Sequence, residues 1–142
     1  MSEGALILVV EDNATNQMLT SSVLELHGFR VLVAESSVQA LKCLGANTPD
    51  LILMDVHLPG LDGLSFTRAL KAAPETAGIP IVAVTALAMI GDREEALAAG
   101  CAGYISKPID TRTFGEQVRG FLSAATANAL AATATAQQLA SD

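Results

Sequence analysis

Five polar residues follow short apolar runs in this chain: Glu11 and Asp12, then Asp55, Thr85 and Lys107. Singly, each has an ordinary reading. Glu11 and Asp12 can cap a helix, and Asp55, shortly before Pro59-Gly60, can be a turn aspartate. Thr85 can be a β-branched strand residue and Lys107 a solvated lysine. Brought together, they would make a different object. Three neighbouring carboxylates repel one another and call for a hard cation, and an all-oxygen donor set suits Mg²⁺. With that charge offset, Asp55 can approach a phosphoryl group and accept it as an acyl phosphate. Lys107 would supply a cationic partner for the phosphoryl oxygens, and Thr85 a hydrogen bond.

Whether they meet depends on the elements that carry them. At 142 residues the chain is one domain's length, and 51% hydrophobic residues suffice for a sizeable core. With aromatics at only 4%, aliphatic side chains must fill it. Apolar runs at residues 5–10, 31–34, 51–54, 79–84 and 104–106 read as strands, the last being the weakest. Short, nearly continuous Val/Ile/Leu runs fit strands buried on both faces of a parallel sheet.

Helical spacing fills the gaps. Leu19, Val23 and Leu26 share a face before the stop at Gly28. Residues 37–44 form the next helix, and Phe66, Leu70 and Ala73 line another ahead of Pro74. Asp92 and Glu95 look like a capping box for a helix that ends at Gly100. Asp110 can cap a last helix with Phe114, Val118, Phe121 and Leu122 along one stripe. Five β-α repeats predict an α/β fold, a doubly wound five-stranded parallel sheet of order 2-1-3-4-5. In such sheets ligands bind at the carboxyl ends of the strands, where the five polar residues stand. Residues 1–123 then form the domain. Residues 124–142, rich in Ala and Thr, read as a helix extension fraying into a disordered tail.

Lys plus Arg total 8 against 15 Asp plus Glu, a net charge of −7, which argues against nucleic acid as a partner. The N-terminus lacks a basic signal-peptide region, and no apolar stretch is long enough to cross a membrane. Cys43 and Cys101 have no metal-ligand spacing and read as small buried hydrophobes. A cytoplasmic protein is expected. The initiating methionine and the tail lean toward a stand-alone protein.

Four motifs give the chain a resemblance. They are Val9-Val10-Glu11-Asp12-Asn13, the run from Leu53 through Asp55 and His57 to Gly63, Val84-Thr85-Ala86, and Ser106-Lys107-Pro108. Over roughly residues 5–122 the sequence resembles the receiver domain of two-component response regulators. It is most similar to single-domain regulators of the DivK type and to receivers attached to hybrid histidine kinases. The resemblance implies the flavodoxin-like (βα)5 fold and Asp55 as phosphoacceptor. It implies Mg²⁺ held by Asp12, Asp55 and the backbone carbonyl of His57, with Glu11 acting mainly through a water on the ion. Lys107 would pair with the phosphoryl group, and its bond to Pro108 would be cis. Thr85 and Tyr104 would be switch residues that reshape the face of helix four, strand five and helix five. A histidine kinase or histidine phosphotransfer protein would be the donor, and a downstream signalling protein the recipient.

Two histidines and two rival functions remain. The His57 side chain has two readings, tuning of the acyl-phosphate lifetime or a solvent-facing loop position, and Tyr104 has the alternative reading of a half-exposed strand aromatic with no switching role. His27 reads as a helix C-terminal residue favoured by the dipole. A phosphohydrolase with an aspartyl intermediate is disfavoured, because haloacid-dehalogenase-like phosphatases carry a second aspartate where His57 stands. A pseudo-receiver is disfavoured because every pocket residue is present. The expectation is a signalling phosphoacceptor, not an enzyme, with at most slow self-dephosphorylation.

Overall fold

The computed structural model describes residues 4–58, 62–86 and 90–125. Strands and helices alternate as β1 (Leu6–Val10), α1 (Ala14–Leu26), β2 (Arg30–Ala34), α2 (Ser37–Ala46), β3 (Leu51–Asp55), α3 (Gly63–Ala72), β4 (Ile81–Thr85), α4 (Ile90–Ala99) and β5 (Gly103–Ser106). Residues 114–125 are helical and close the series as α5. The strands form one sheet in the order β2-β1-β3-β4-β5, as the alternation predicts. All four pairings are parallel.

The two-residue period of the strands builds two cores. Ile7, Val9, Leu51, Leu53, Val82, Val84 and Ile105 pack against Val23 and Leu24 of α1 and Phe114, Val118 and Leu122 of α5. Their neighbours Leu8, Val10, Ile52, Met54, Ile81 and Ala83 point the other way, onto Ala40 of α2, Phe66 and Leu70 of α3, and Ala96 and Ala99 of α4. All five residues of β3 and of β4 are buried. That double burial is why these segments read as continuous apolar runs.

Boundaries move where backbone chemistry decides them. β4 begins at Ile81, two residues later than the apolar run. Pro80 has no N–H for the ladder and contributes only its carbonyl, to the Ile52 N–H at 2.9 Å. The first helix is capped by neither Glu11 nor Asp12 but by Asn13, whose side chain accepts from the Asn16 N–H at 3.0 Å. Asp92 lies inside α4, which starts two residues earlier at Ile90, so it is not the cap. Asp110 does organise the entry to α5, its side chain accepting from the Arg112 N–H and its carbonyl from Phe114. Gly28 and Gly100 end their helices with φ of 88° and 109°, in the left-handed region open to glycine.

His27 does more than cap. Its Nδ1 lies 2.9 Å from the Val23 carbonyl, and its ring fills the space over Gly115, where an added Cβ would collide with it. Beside it Arg119 donates to the His27 carbonyl at 3.0 Å and stands over the Phe29 ring. The histidine therefore helps to dock α1 onto α5.

At the amino ends of the strands, Lys71 reaches from α3 to donate to the carbonyls of Ala77 and Ile79. Lys71, Gly78, Pro80 and Ala102 line a cleft there with Phe121, Ala124 and Ala125 of α5. The described chain enters on the same rim, where the Gly4 N–H donates to the Gly28 carbonyl. The domain boundary expected at residue 123 falls within α5. The expected tail lies outside the described residues from 126 onward.

Candidate phosphoacceptor site

The opposite rim collects the chemistry. Glu11 and Asp12 follow β1, Asp55 ends β3, Thr85 ends β4 and Lys107 follows β5. The register aligns Val10 with Met54, Asp55 with Val84 and Thr85 with Ser106, so these strand ends finish nearly level. Carboxylate oxygens of Glu11, Asp12 and Asp55 all lie within 4.8 Å of one another. Asp12 is exposed, whereas Glu11, Asp55 and Thr85 retain only 5%, 6% and 4% of their surface. Buried carboxylates must be paired or hydrogen-bonded, and these are. The Lys107 ammonium lies 2.6 Å from Glu11 Oε1 and 3.3 Å from Asp55 Oδ2. Backbone donors take the remaining oxygens: the Asn13 N–H donates to Glu11 Oε2 at 3.2 Å, and the His57 N–H to Asp55 Oδ1 at 3.0 Å.

Beneath the carboxylates lies an apolar floor of Val9, Leu53, Val84 and Phe114, which strengthens every charge interaction above it. Burial by itself would lower the Lys107 pKa. The hydrogen bond it donates to Glu11 and the charges of Asp55 and Glu11 outweigh it, and the ammonium titrates above the ordinary lysine range. Three carboxylates and one ammonium leave two negative charges, the charge of one divalent cation. Oxygens bound to Mg²⁺ at about 2.1 Å stand at most about 4.2 Å apart. A small inward shift would let Asp12 and Asp55 share such an ion, with Glu11, already turned to Lys107, near enough to reach it through a water.

The remaining residues fall around this centre. Thr85 lends its carbonyl to the Lys107 N–H at 2.7 Å, and the Lys107–Pro108 peptide bond is cis. Tyr104, in β5, is half-buried and packs against the core on the α3–α4 side. His57 is exposed in the loop after β3. Residues 59–61 and 87–89, which carry parts of the loops after β3 and β4, lie outside the described residues.

Three contributors escaped the reading of the sequence. Asn13 could have been found, since an asparagine just before a helical pattern is a capping signal. Gln17 could not: its side-chain amide donates to the Glu11 carbonyl six residues back at 2.6 Å, a bond no periodicity announces. Gly63 opens α3 directly against the Asp55 carbonyl, and a Cβ there would collide with that backbone. Gly63→Ala is expected to destabilise the domain by about 2 kcal/mol or more, the scale of overpacking that backbone must absorb. Urea denaturation checks it; an unchanged midpoint would show that the β3–α3 junction yields freely.

Comparison with known proteins decides the family. The family model described as "Response regulator receiver domain" matches residues 7–119. The chain is a member of the receiver family. Among relatives of this receiver, the polar-differentiation response regulator DivK of Brucella ovis is 41% identical over 116 residues, covering 82% of this chain and 94% of DivK. The receiver domain of sensor histidine kinase PA1611 from Pseudomonas aeruginosa PAO1 superimposes with a TM-score of 0.76 at 38% identity, over 84% of this chain and 98% of that one. That structure is described with a magnesium ion coordinated in its active-site cleft. The signal receiver domain of a histidine kinase from Syntrophus aciditrophicus gives a TM-score of 0.77 at 30% identity, over 85% of this chain and 92% of that one. As a receiver, the chain is a two-component signalling module. Among its described residues no helix is long and apolar enough to cross a membrane.

Proposed function

We propose that this receiver takes a phosphoryl group onto Asp55 from a partner's phosphohistidine and uses it to change which protein it binds. The observation that carries this is the buried Asp55 carboxylate, set between a lysine ammonium and two further carboxylates. A carboxylate oxygen of Asp55 forms a bond to phosphorus as the P–N bond breaks, and the donor imidazole leaves with the electron pair. Asp12, Asp55 and the His57 carbonyl would hold Mg²⁺, with Glu11 at one remove, and the ion would supply the positive charge that offsets the carboxylates and admits an anionic group. Lys107, already within reach of Asp55, turns to a phosphoryl oxygen. Thr85 stands one strand away to donate a further hydrogen bond.

The output is a shift between two arrangements. Thr85 moves toward the phosphoryl group, Tyr104 swings inward from its half-buried place, and the α4–β5–α5 face changes for a downstream protein. The receiver acts as a phosphoacceptor and not as a turnover enzyme, in the cytoplasm and without nucleic acid. Incubation with a small phosphodonor and Mg²⁺, followed by capture of partners from both forms, tests the reading. One phosphoryl group per chain and a changed set of partners are expected; steady release of phosphate would point instead to a hydrolase.

His57 tunes how long the group stays. Its side chain is exposed in the loop two residues after Asp55, and in this reading it controls the water that attacks the acyl phosphate. His57→Ala is expected to change the half-life of the phosphorylated form severalfold, measured by decay of the label. Equal half-lives would leave His57 a solvent-facing loop residue.

A further inference from the structure

Taking Asp12 as a cation ligand, on the reading above, we propose that Gln17 is a positioning residue of the acidic pocket. Its side-chain amide fixes the peptide between Glu11 and Asp12 and so aims the Asp12 carboxylate.

The two acidic neighbours are held in opposite ways. Glu11 is anchored through its side chain by Lys107 and the Asn13 N–H, and through its own N–H by the Ala34 carbonyl at 2.9 Å. Asp12 is exposed, and among the described residues none hydrogen-bonds or pairs with its carboxylate. With no partner to fix its torsions, that carboxylate is directed toward the cluster only by the bearing of the Asp12 Cα–Cβ bond, which the backbone sets. On its far side the backbone is fixed by the Asn13 cap. On its near side the Glu11 carbonyl, the Asp12 nitrogen and the Asp12 Cα share one rigid plane. Freeing that carbonyl would loosen ψ of Glu11 and φ of Asp12, and with them the bearing of the Asp12 Cα–Cβ bond. The Gln17 amide, 2.6 Å from the carbonyl oxygen, holds that carbonyl in place. Gln17 lies in α1, half-buried, where its amide reaches the loop without touching the acidic oxygens themselves.

The consequence is specific to cation affinity. Gln17→Met keeps an unbranched side chain of similar length and helix preference but removes the donor. Titration of the full chain with MgCl₂ alone, followed by amide chemical shifts, should show binding about three- to tenfold weaker than wild type, the worth of one hydrogen bond. Labelling by a small phosphodonor should then need about three- to tenfold more Mg²⁺ for half its maximal rate. The rate at saturating Mg²⁺ should stay within about twofold, and the urea midpoint without Mg²⁺ should fall only by the small amount that one lost hydrogen bond costs.

Equal Mg²⁺ affinity in the two proteins overturns the assignment. So does a Gln17→Met protein whose labelling stays slow at saturating Mg²⁺, since that marks a merely structural bond. A wild-type chain whose shifts do not respond to Mg²⁺ refutes the pocket reading itself, which separates that failure from this one.

Discussion

Asp55→Asn is expected to take up no phosphoryl label from a small donor with Mg²⁺, while the wild-type chain takes up one group. The amide cannot act as the nucleophile, and neither neighbouring carboxylate replaces it. Glu11 is turned to Lys107 and the Asn13 N–H, and Asp12 stands exposed at the mouth. The variant should also melt no lower than wild type. Removing one of three crowded carboxylate charges relieves repulsion, and an asparagine oxygen can still accept the His57 N–H. Loss of label with stability retained thus separates a missing nucleophile from a broken fold. Label retained on the variant would place the acceptor elsewhere and overturn the proposed function.

Lys107→Met has the second large effect, on stability as well as on chemistry. The ammonium pairs with both buried carboxylates, so its removal leaves two charges without a protein cation. Breaking such a pair from one side costs about 3–5 kcal/mol when fully buried. Lys107 keeps 20% of its side-chain surface, so about 2 kcal/mol is expected from urea denaturation without Mg²⁺. Saturating Mg²⁺ should recover most of that loss, because a divalent ion can replace the missing positive charge. A loss that Mg²⁺ does not relieve would mean that the lysine stem, and not its charge, stabilises the rim.

The pH dependence of the pairing follows from the raised Lys107 pKa. A base whose folded pKa lies above its unfolded one contributes fully below the unfolded value and loses that contribution as pH rises through the folded one. The wild-type advantage over Lys107→Met in Mg²⁺-free buffer should therefore hold through neutral pH and decline only on the alkaline side of ordinary lysine titration.

The strands were legible because burial on both sheet faces leaves uninterrupted aliphatic runs, and their order followed from the repeat of strand and helix. Glu11, Asp12, Asp55, Thr85 and Lys107 were legible because each sits where an apolar run stops. What stayed hidden depends on distance between segments. Gly63 looks like a turn glycine until the Asp55 carbonyl is placed against it, and Gln17 looks like a surface helix residue until the loop folds back under its amide. His27 was read from its own helix alone; its ring acquires a role only when Gly115 of α5 arrives beneath it. Pro80 could have corrected the start of β4, since a run that begins at Ile79 puts a residue lacking N–H inside a central strand, where proline is disfavoured.

Both ends of the described chain, Gly4 and the last turn of α5, come out beside the amino termini of the strands. The acidic pocket opens across the full height of the sheet from them. A tether or reporter attached at Gly4 or at Ala125 would leave from the underside of the molecule. The mouth would stay open to an incoming donor, so single-molecule anchoring at either of these residues should leave phosphoryl uptake undisturbed.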